Sequence, residues 1–127
     1  HSLGNDFFNL NQLTTARKYY ERSLEVKKQL GDTRGVLTTT VSMGDVHKDL
    51  NEYQKSETYY QKALGEARRL KFPKEETRIL HQSGLLYRRM GELEKARTSF
   101  MQSMALSEQL GDSITYKRTK SELINLD

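Results

Sequence analysis

The sequence predicts an all-α chain in which about three helical hairpins lie side by side, closed by a C-terminal capping helix. Three observations carry this. Residues of matched size recur at an interval of 40, turn-forming residues share that interval, and the apolar residues between turns fall three and four apart, as in Ala96, Phe100, Ser103 and Met104. No stretch alternates strictly enough to seed a strand.

The register is read directly from the columns. Gly4, Gly44 and Gly84 are spaced by 40, as are Tyr20, Tyr60 and Phe100; Leu24, Leu64 and Met104; and Leu30, Leu70 and Leu110. Leu10, Leu50 and Met90 follow, with Leu13, Tyr53 and Leu93. Small residues keep the same interval at Ala16, Ser56 and Ala96, and at Ser23, Ala63 and Ser103. Gly and Ala let two helices approach closely, and an aromatic ring from one fills the gap beside them.

Each element is then bounded by its punctuation. Asn11, Asn51 and Gly91 are residue types that tolerate a left-handed backbone, so a turn is expected inside each copy. A second break is expected at Gly31-Asp32, Phe72-Pro73 and Gly111-Asp112, where Gly ends a helix, Asp caps the next and Pro forbids continuation. The first helices run from about Arg34 to Leu50 and from Lys74 to Met90, preceded by a shorter one of about ten residues before Asn11. The second helices run from Gln12 to Leu30, Glu52 to Leu70 and Glu92 to Leu110. Ser113 to Leu126 makes one further helix, with Tyr116, Leu123 and Ile124 available to cover the last hairpin. The chain reads as one domain, residues 1–127, with repeats at about 1–32, 33–72 and 73–112 and the capping helix at 113–126. An end without a polar outer face would expose apolar surface, so the chain is expected to belong to a longer array or to self-associate through its repeat ends.

Composition narrows the function classes. Hydrophobic residues make up 35% and charged residues 30%, which suits amphipathic helices with wet outer faces. The longest apolar runs are far short of the roughly 20 residues needed to cross a bilayer, and no leader-type segment opens the sequence; a cytoplasmic location is expected. Cysteine is absent, which removes disulfides, thiolate metal sites and cysteine nucleophiles together. The net charge of +4 is a mild excess, because 17 acidic residues are mixed among 21 basic ones.

At these residues the sequence resembles the tetratricopeptide repeat family over nearly its whole length. The family's Leu-Gly slot and the aromatic after it are held by Leu3-Gly4, Met43-Gly44 and Ser83-Gly84, then Phe7, His47 and Tyr87. Its small-aromatic-small pattern is held by Ala16, Tyr20 and Ser23, by Ser56, Tyr60 and Ala63, and by Ala96, Phe100 and Ser103. The usual repeat has 34 residues; the longer repeat here, with phrases such as Leu30-Gly31-Asp32 and Leu3-Gly4-Asn5, is similar to the Leu-Gly-Asn class of adaptors and to bacterial peptide-sensing regulators. The resemblance implies a right-handed α-solenoid with the first helix of each hairpin on a concave wall. It also implies a non-enzymatic, protein-binding module, an adaptor or scaffold that takes a peptide or partner segment in that groove.

On that implied wall the candidate residues are Asn5, Phe8 and Asn9 in the first copy, and Thr38, Val41, Ser42, Asp45, Lys48 and Asp49 in the second. The third contributes Arg78, His81, Gln82, Leu85, Arg88 and Arg89. Arg78, Arg88 and Arg89 make this last copy basic, so a protein or peptide carrying acidic groups is the expected partner, met by guanidinium–carboxylate hydrogen bonds. Some family members grip a carboxylate terminus with Lys and Asn; Asn5 matches one such slot and Arg78 replaces a Lys, but His1, Ser42 and Gln82 do not fit the others.

Catalysis has no visible machinery. His1, His47 and His81 lack a second ligand at metal spacing, and His47 occupies the packing slot of Phe7 and Tyr87. No phosphate loop, nucleophile elbow or metal-hydrolase signature occurs, so no cofactor or metal is expected. A peptide-sensing module of a larger regulator is the alternative reading. Nucleic-acid binding ranks below both, because Tyr19-Tyr20 and Tyr59-Tyr60 lie on the second helices, away from the basic inner face it would need.

Overall fold

The computed structural model describes the backbone of residues 3–126 and the side chains from residue 12 onward. It holds six α-helices and, among the described residues, no strand: α1 Leu3–Leu30, α2 Thr33–Asp49, α3 Tyr53–Leu70, α4 Pro73–Arg89, α5 Leu93–Leu110 and α6 Ser113–Ile124. Helices α2, α4 and α6 begin 40 residues apart, and so do α3 and α5. This is an all-α helical-repeat fold.

The five breaks share one construction. Each carries a single residue in the left-handed region: Gly31 at φ 72°, Asn51 at 64°, Lys71 at 59°, Gly91 at 78° and Gly111 at 71°. The residue after it donates its N–H back across the last turn, Asp32 to Lys27, Glu52 to His47, Phe72 to Ala67, Glu92 to Tyr87 and Asp112 to Ser107, at 2.8–2.9 Å. That six-to-one bond absorbs a carbonyl the helix end would otherwise strand. The next helix starts at once. Asp32 and Asp112 cap α2 and α6 by accepting from Gly35 and Thr115 N–H, while Pro73 opens α4 without a side-chain cap.

The turn predicted at Asn11 is not formed; α1 runs unbroken from Leu3 to Leu30. The matching turn at Asn51 has side-chain support, with the Tyr53 hydroxyl donating to Asn51 Oδ1 at 3.0 Å and His47 Nδ1 lying 2.9 Å from Glu52 Oε1. The first copy has Leu13, Gln12 and Phe7 at those three places and can make neither bond. Asn alone carries a weaker stop signal than Gly, and the helix continues through it.

The chain divides into two compact units, one up to Tyr59 and one from Tyr60, the division falling inside α3. In the first, α1 packs on α2, and Lys27 Nζ donates to Thr39 Oγ1 at 2.9 Å. Gly44 is buried, and its carbonyl accepts from Ser56 Oγ at 2.7 Å. In the second, α4 and α5 form a hairpin on which α6 is laid. Gly84 sits against the fully buried Phe100: a Cβ at position 84 would fall 2.5 Å from the ring. Phe100, Ala96 and Leu126 form a buried cluster, with Leu85, Tyr87 and Leu123 packed against it. The matched glycine and aromatic columns are thus one contact, and it sets the close approach of α4 and α5.

Candidate protein-binding face

The strip on α2 belongs to the first unit. Thr38 and Asp49 are exposed, while Val41, Ser42 and Asp45 are half-buried. The Thr38 and Ser42 hydroxyls donate to carbonyls one turn back, Arg34 and Thr38, at 2.9 and 3.2 Å, so both are partly occupied by their own helix. Lys48 is buried at 8% exposure and does not stand open to a ligand. Asn5, Phe8 and Asn9 lie outside the residues whose side chains are described.

His47, at the C-terminal end of α2, is a packing residue. Its ring stacks on Tyr59 at 5.3 Å with planes 8° apart, and its Nδ1 donates to the Glu52 carboxylate. That hydrogen bond is the main reason the Glu52 carboxyl is held below the usual glutamate range.

The strip on α4 belongs to the second unit and separates into two sets. Arg78, Gln82, Leu85 and Arg89 follow one another at helical spacing. Arg78 and Arg89 are exposed, and Gln82 and Leu85 are half-buried. Leu85 lends part of its surface to the Ala96, Phe100 and Leu126 cluster. His81 and Arg88 instead face α6. His81 is 8% exposed, with Nδ1 2.8 Å from Thr119 Oγ1 and its ring edge-on to Phe100 at 5.7 Å. Arg88 Nη1 is bound to the Glu122 carboxylate. These two side chains hold α6 in place, so neither is open as the sequence pattern suggests. Only knowledge of where α6 docks separates them from Arg78 and Arg89.

The α4–α6 seam is polar and complete. Thr119 is fully buried, and its hydroxyl lies 3.5 Å from Ser103 Oγ, which donates to the Thr77 carbonyl at 3.0 Å. No buried side-chain nitrogen or oxygen among the described residues lacks a partner. Burying such groups costs little once every one is bonded, and the chain of bonds fixes the rotation of α6.

The guanidinium groups differ sharply in what they already hold. Arg17, Arg68, Arg69 and Arg88 lie within ion-pair distance of carboxylates. Arg34, Arg89 and Arg97 also have partners. Arg78 and Arg118 are exposed and, among the described residues, bond to nothing. Arg118 was not singled out by sequence, although its place 40 residues after Arg78 was the available signal. Arg78 also lines a cavity of about 330 Å³ with Lys74, Glu75, Leu110, Gly111, Asp112 and Thr115. The Asp112 carboxylate there is held below its usual range mainly by its hydrogen bonds from Thr115.

Among the described residues, no three His, Asp or Glu side chains converge as a metal site, and no helix is long and apolar enough to cross a membrane. No curated protein sequence matches the chain. Among solved structures it is similar to the crystal structure of BtubC (BKLC) from P. vanneervenii, with a TM-score of 0.67 and 16% identity. The match covers 91% of this chain and 57% of that one, so the chain spans little more than half the length of that structure, and identity this low carries the fold alone. Two family profiles, each described as Tetratricopeptide repeat, match residues 1–68 and 77–110. The first alone covers more than half the residues, and the helical hairpins it describes are those seen here: the chain belongs to the tetratricopeptide repeat family.

Proposed function

We propose that the chain is an adaptor module that receives an acidic, extended segment of a partner protein along the exposed strip of α4. Tetratricopeptide repeats generally mediate protein–protein interaction, and that coarse function comes with the family. The observation supporting the finer reading is the state of Arg78: an exposed guanidinium with no partner among the described residues, on one stripe with Gln82, Leu85 and Arg89. A free planar fork has its full hydrogen-bonding capacity available for a carboxylate. Half-buried Leu85 beside it offers apolar contact to the same ligand. The 40-residue spacing of the helix starts supports placement with the long-repeat adaptors of the Leu-Gly-Asn class.

Arg88 is excluded from the test because reversing it would break its ion pair with Glu122 and loosen α6. Fluorescence anisotropy with a fluorescein-labelled Glu-rich peptide, and with a Lys-rich control of equal length, measures the interaction instead. The wild type should bind the acidic peptide, and Arg78→Glu combined with Arg89→Glu should weaken it about tenfold or more. Equal binding by wild type and the double variant would remove α4 from the interaction.

A further inference from the structure

We infer that Arg118 on α6 forms a second prong with Arg78 on α4, and that the pair selects extended partner segments carrying two carboxylates about three residues apart. This rests on the reading of α4 given above and adds a helix that neither the repeat motif nor the family match assigns to binding.

The argument starts from the seam. The α4–α6 pairs have sequence separations of 38 at His81–Thr119 and 34 at Arg88–Glu122. The separation therefore rises toward the N-terminal ends of the two helices and tends to about 40, the separation of Arg78 and Arg118. The two arginines stand at nearly the same level. Rotation agrees with level. On α4, Arg78 and Gln82 lie one residue either side of the His81 direction, and on α6 Arg118 and Glu122 stand in the same relation to Thr119 and Ser121 by the 40-residue register. Thr119 and Glu122 point at α4, so Arg118, one turn before Glu122, flanks the seam and does not lie behind it.

Both guanidinium groups are unoccupied, which distinguishes them from their neighbours. Glu122 could reach Arg118 at one-turn spacing, yet it is bound to Arg88. Asp112 accepts from Thr115 N–H, and Glu75 has a partner of its own. Carboxylates nearby are thus engaged elsewhere, and the two cations remain for an outside ligand.

Spacing follows from helix packing. Directly packed helices lie about 8–10 Å apart, and an extended chain rises about 3.3 Å per residue. Two carboxylates therefore match the two arginines when about three residues separate them. An adjacent pair can engage one arginine only.

The test compares two fluorescein-labelled peptides of equal composition, one with repeating Glu-Ser-Ser-Glu and one with its glutamates contiguous, by anisotropy on the whole chain. Wild type should prefer the spaced peptide by about fivefold, the scale of one exposed charge interaction. Arg118→Gln should abolish that preference while leaving the contiguous peptide bound, and Arg118→Lys should restore part of it. Gln avoids placing a second carboxylate beside Glu122, and a thermal melt unchanged from wild type confirms folding. Equal binding of both peptides by wild type, or a preference that survives Arg118→Gln, would overturn the two-pronged site. If Arg78→Glu still weakens binding in that case, the α4 reading stands without it; if neither variant changes binding, both fall.

Discussion

Gly84 and Gly65 show how much one hydrogen-to-methyl change depends on its surroundings. Both lie inside helices, where Ala is favoured over Gly by about 1 kcal/mol. At Gly65 an added Cβ meets nothing within 4 Å, so Gly65→Ala should stabilise by about that amount. At Gly84 the methyl would meet three atoms of the Phe100 ring at 2.5–2.8 Å, and that ring is fully buried with nowhere to retreat. Overpacking of this kind costs about 1–3 kcal/mol, so Gly84→Ala should be destabilising despite the same propensity gain. Urea denaturation of the two variants checks the opposite signs, and Gly84→Ala with Phe100→Leu should recover part of the loss.

Glu52 supplies a second test at this scale. Its carboxyl is held low chiefly by the hydrogen bond from His47, so the folded state favours the ionised form. The contribution is complete above the unfolded value near about pH 4.3, and it disappears as pH falls through the lowered folded value. Melting temperatures followed downward from neutral pH should therefore fall more steeply below that point for the wild type than for Glu52→Gln. Parallel curves would show that the His47 contact contributes nothing to stability.

Among the elements, α6 depends most on a few polar contacts. Thr119 is fully buried and bonds to His81, so Thr119→Val keeps the shape and deletes the hydrogen bond. A lost buried bond costs about 1–3 kcal/mol, and the loss should appear as earlier hydrogen exchange in α6 and the facing turn of α4. Unchanged protection there would show that apolar packing alone holds the helix. The helix boundaries were readable in the sequence wherever a left-handed residue had support on both sides, as at Asn51 and Gly91. Asn11 was misread because the residue type is right while its supporting partners, Tyr53 and Glu52 in the second copy, have no equivalent. Lys71 was missed as the left-handed residue because nothing in a lysine advertises that conformation; Pro73 two positions on marked the break, and the chain supplied the strain locally.

For the molecule as a whole, the repeat interval, the all-helical class and the glycine–aromatic contact were legible because all three are periodic. The binding face was only half legible. Periodicity places Arg78, His81 and Arg88 on the same side of α4, but which of them stays open depends on α6, a helix more than 20 residues further along the chain. Its docking consumes His81 and Arg88 and leaves Arg78. That non-local choice has no signature in residue type. The proposed partner contact is between exposed charges, so affinity for an acidic peptide should fall steadily as salt is raised from about 0.05 M to 0.5 M, with the Debye length shrinking below about 10 Å. Salt-independent binding would point to an apolar interaction in its place.

The five corners, each with one left-handed residue and a hydrogen bond folded back over it, leave no slack in the chain. Adding a single amino acid within any rod would swing everything downstream of it by about 100° about that rod's axis and turn its buried stripe outward. Deleting one does the same in the opposite sense. Tolerated changes of length are therefore quantised: this architecture can grow or shrink by a full 40-residue module, with every inward side chain returning to its place, far more readily than by one or two residues.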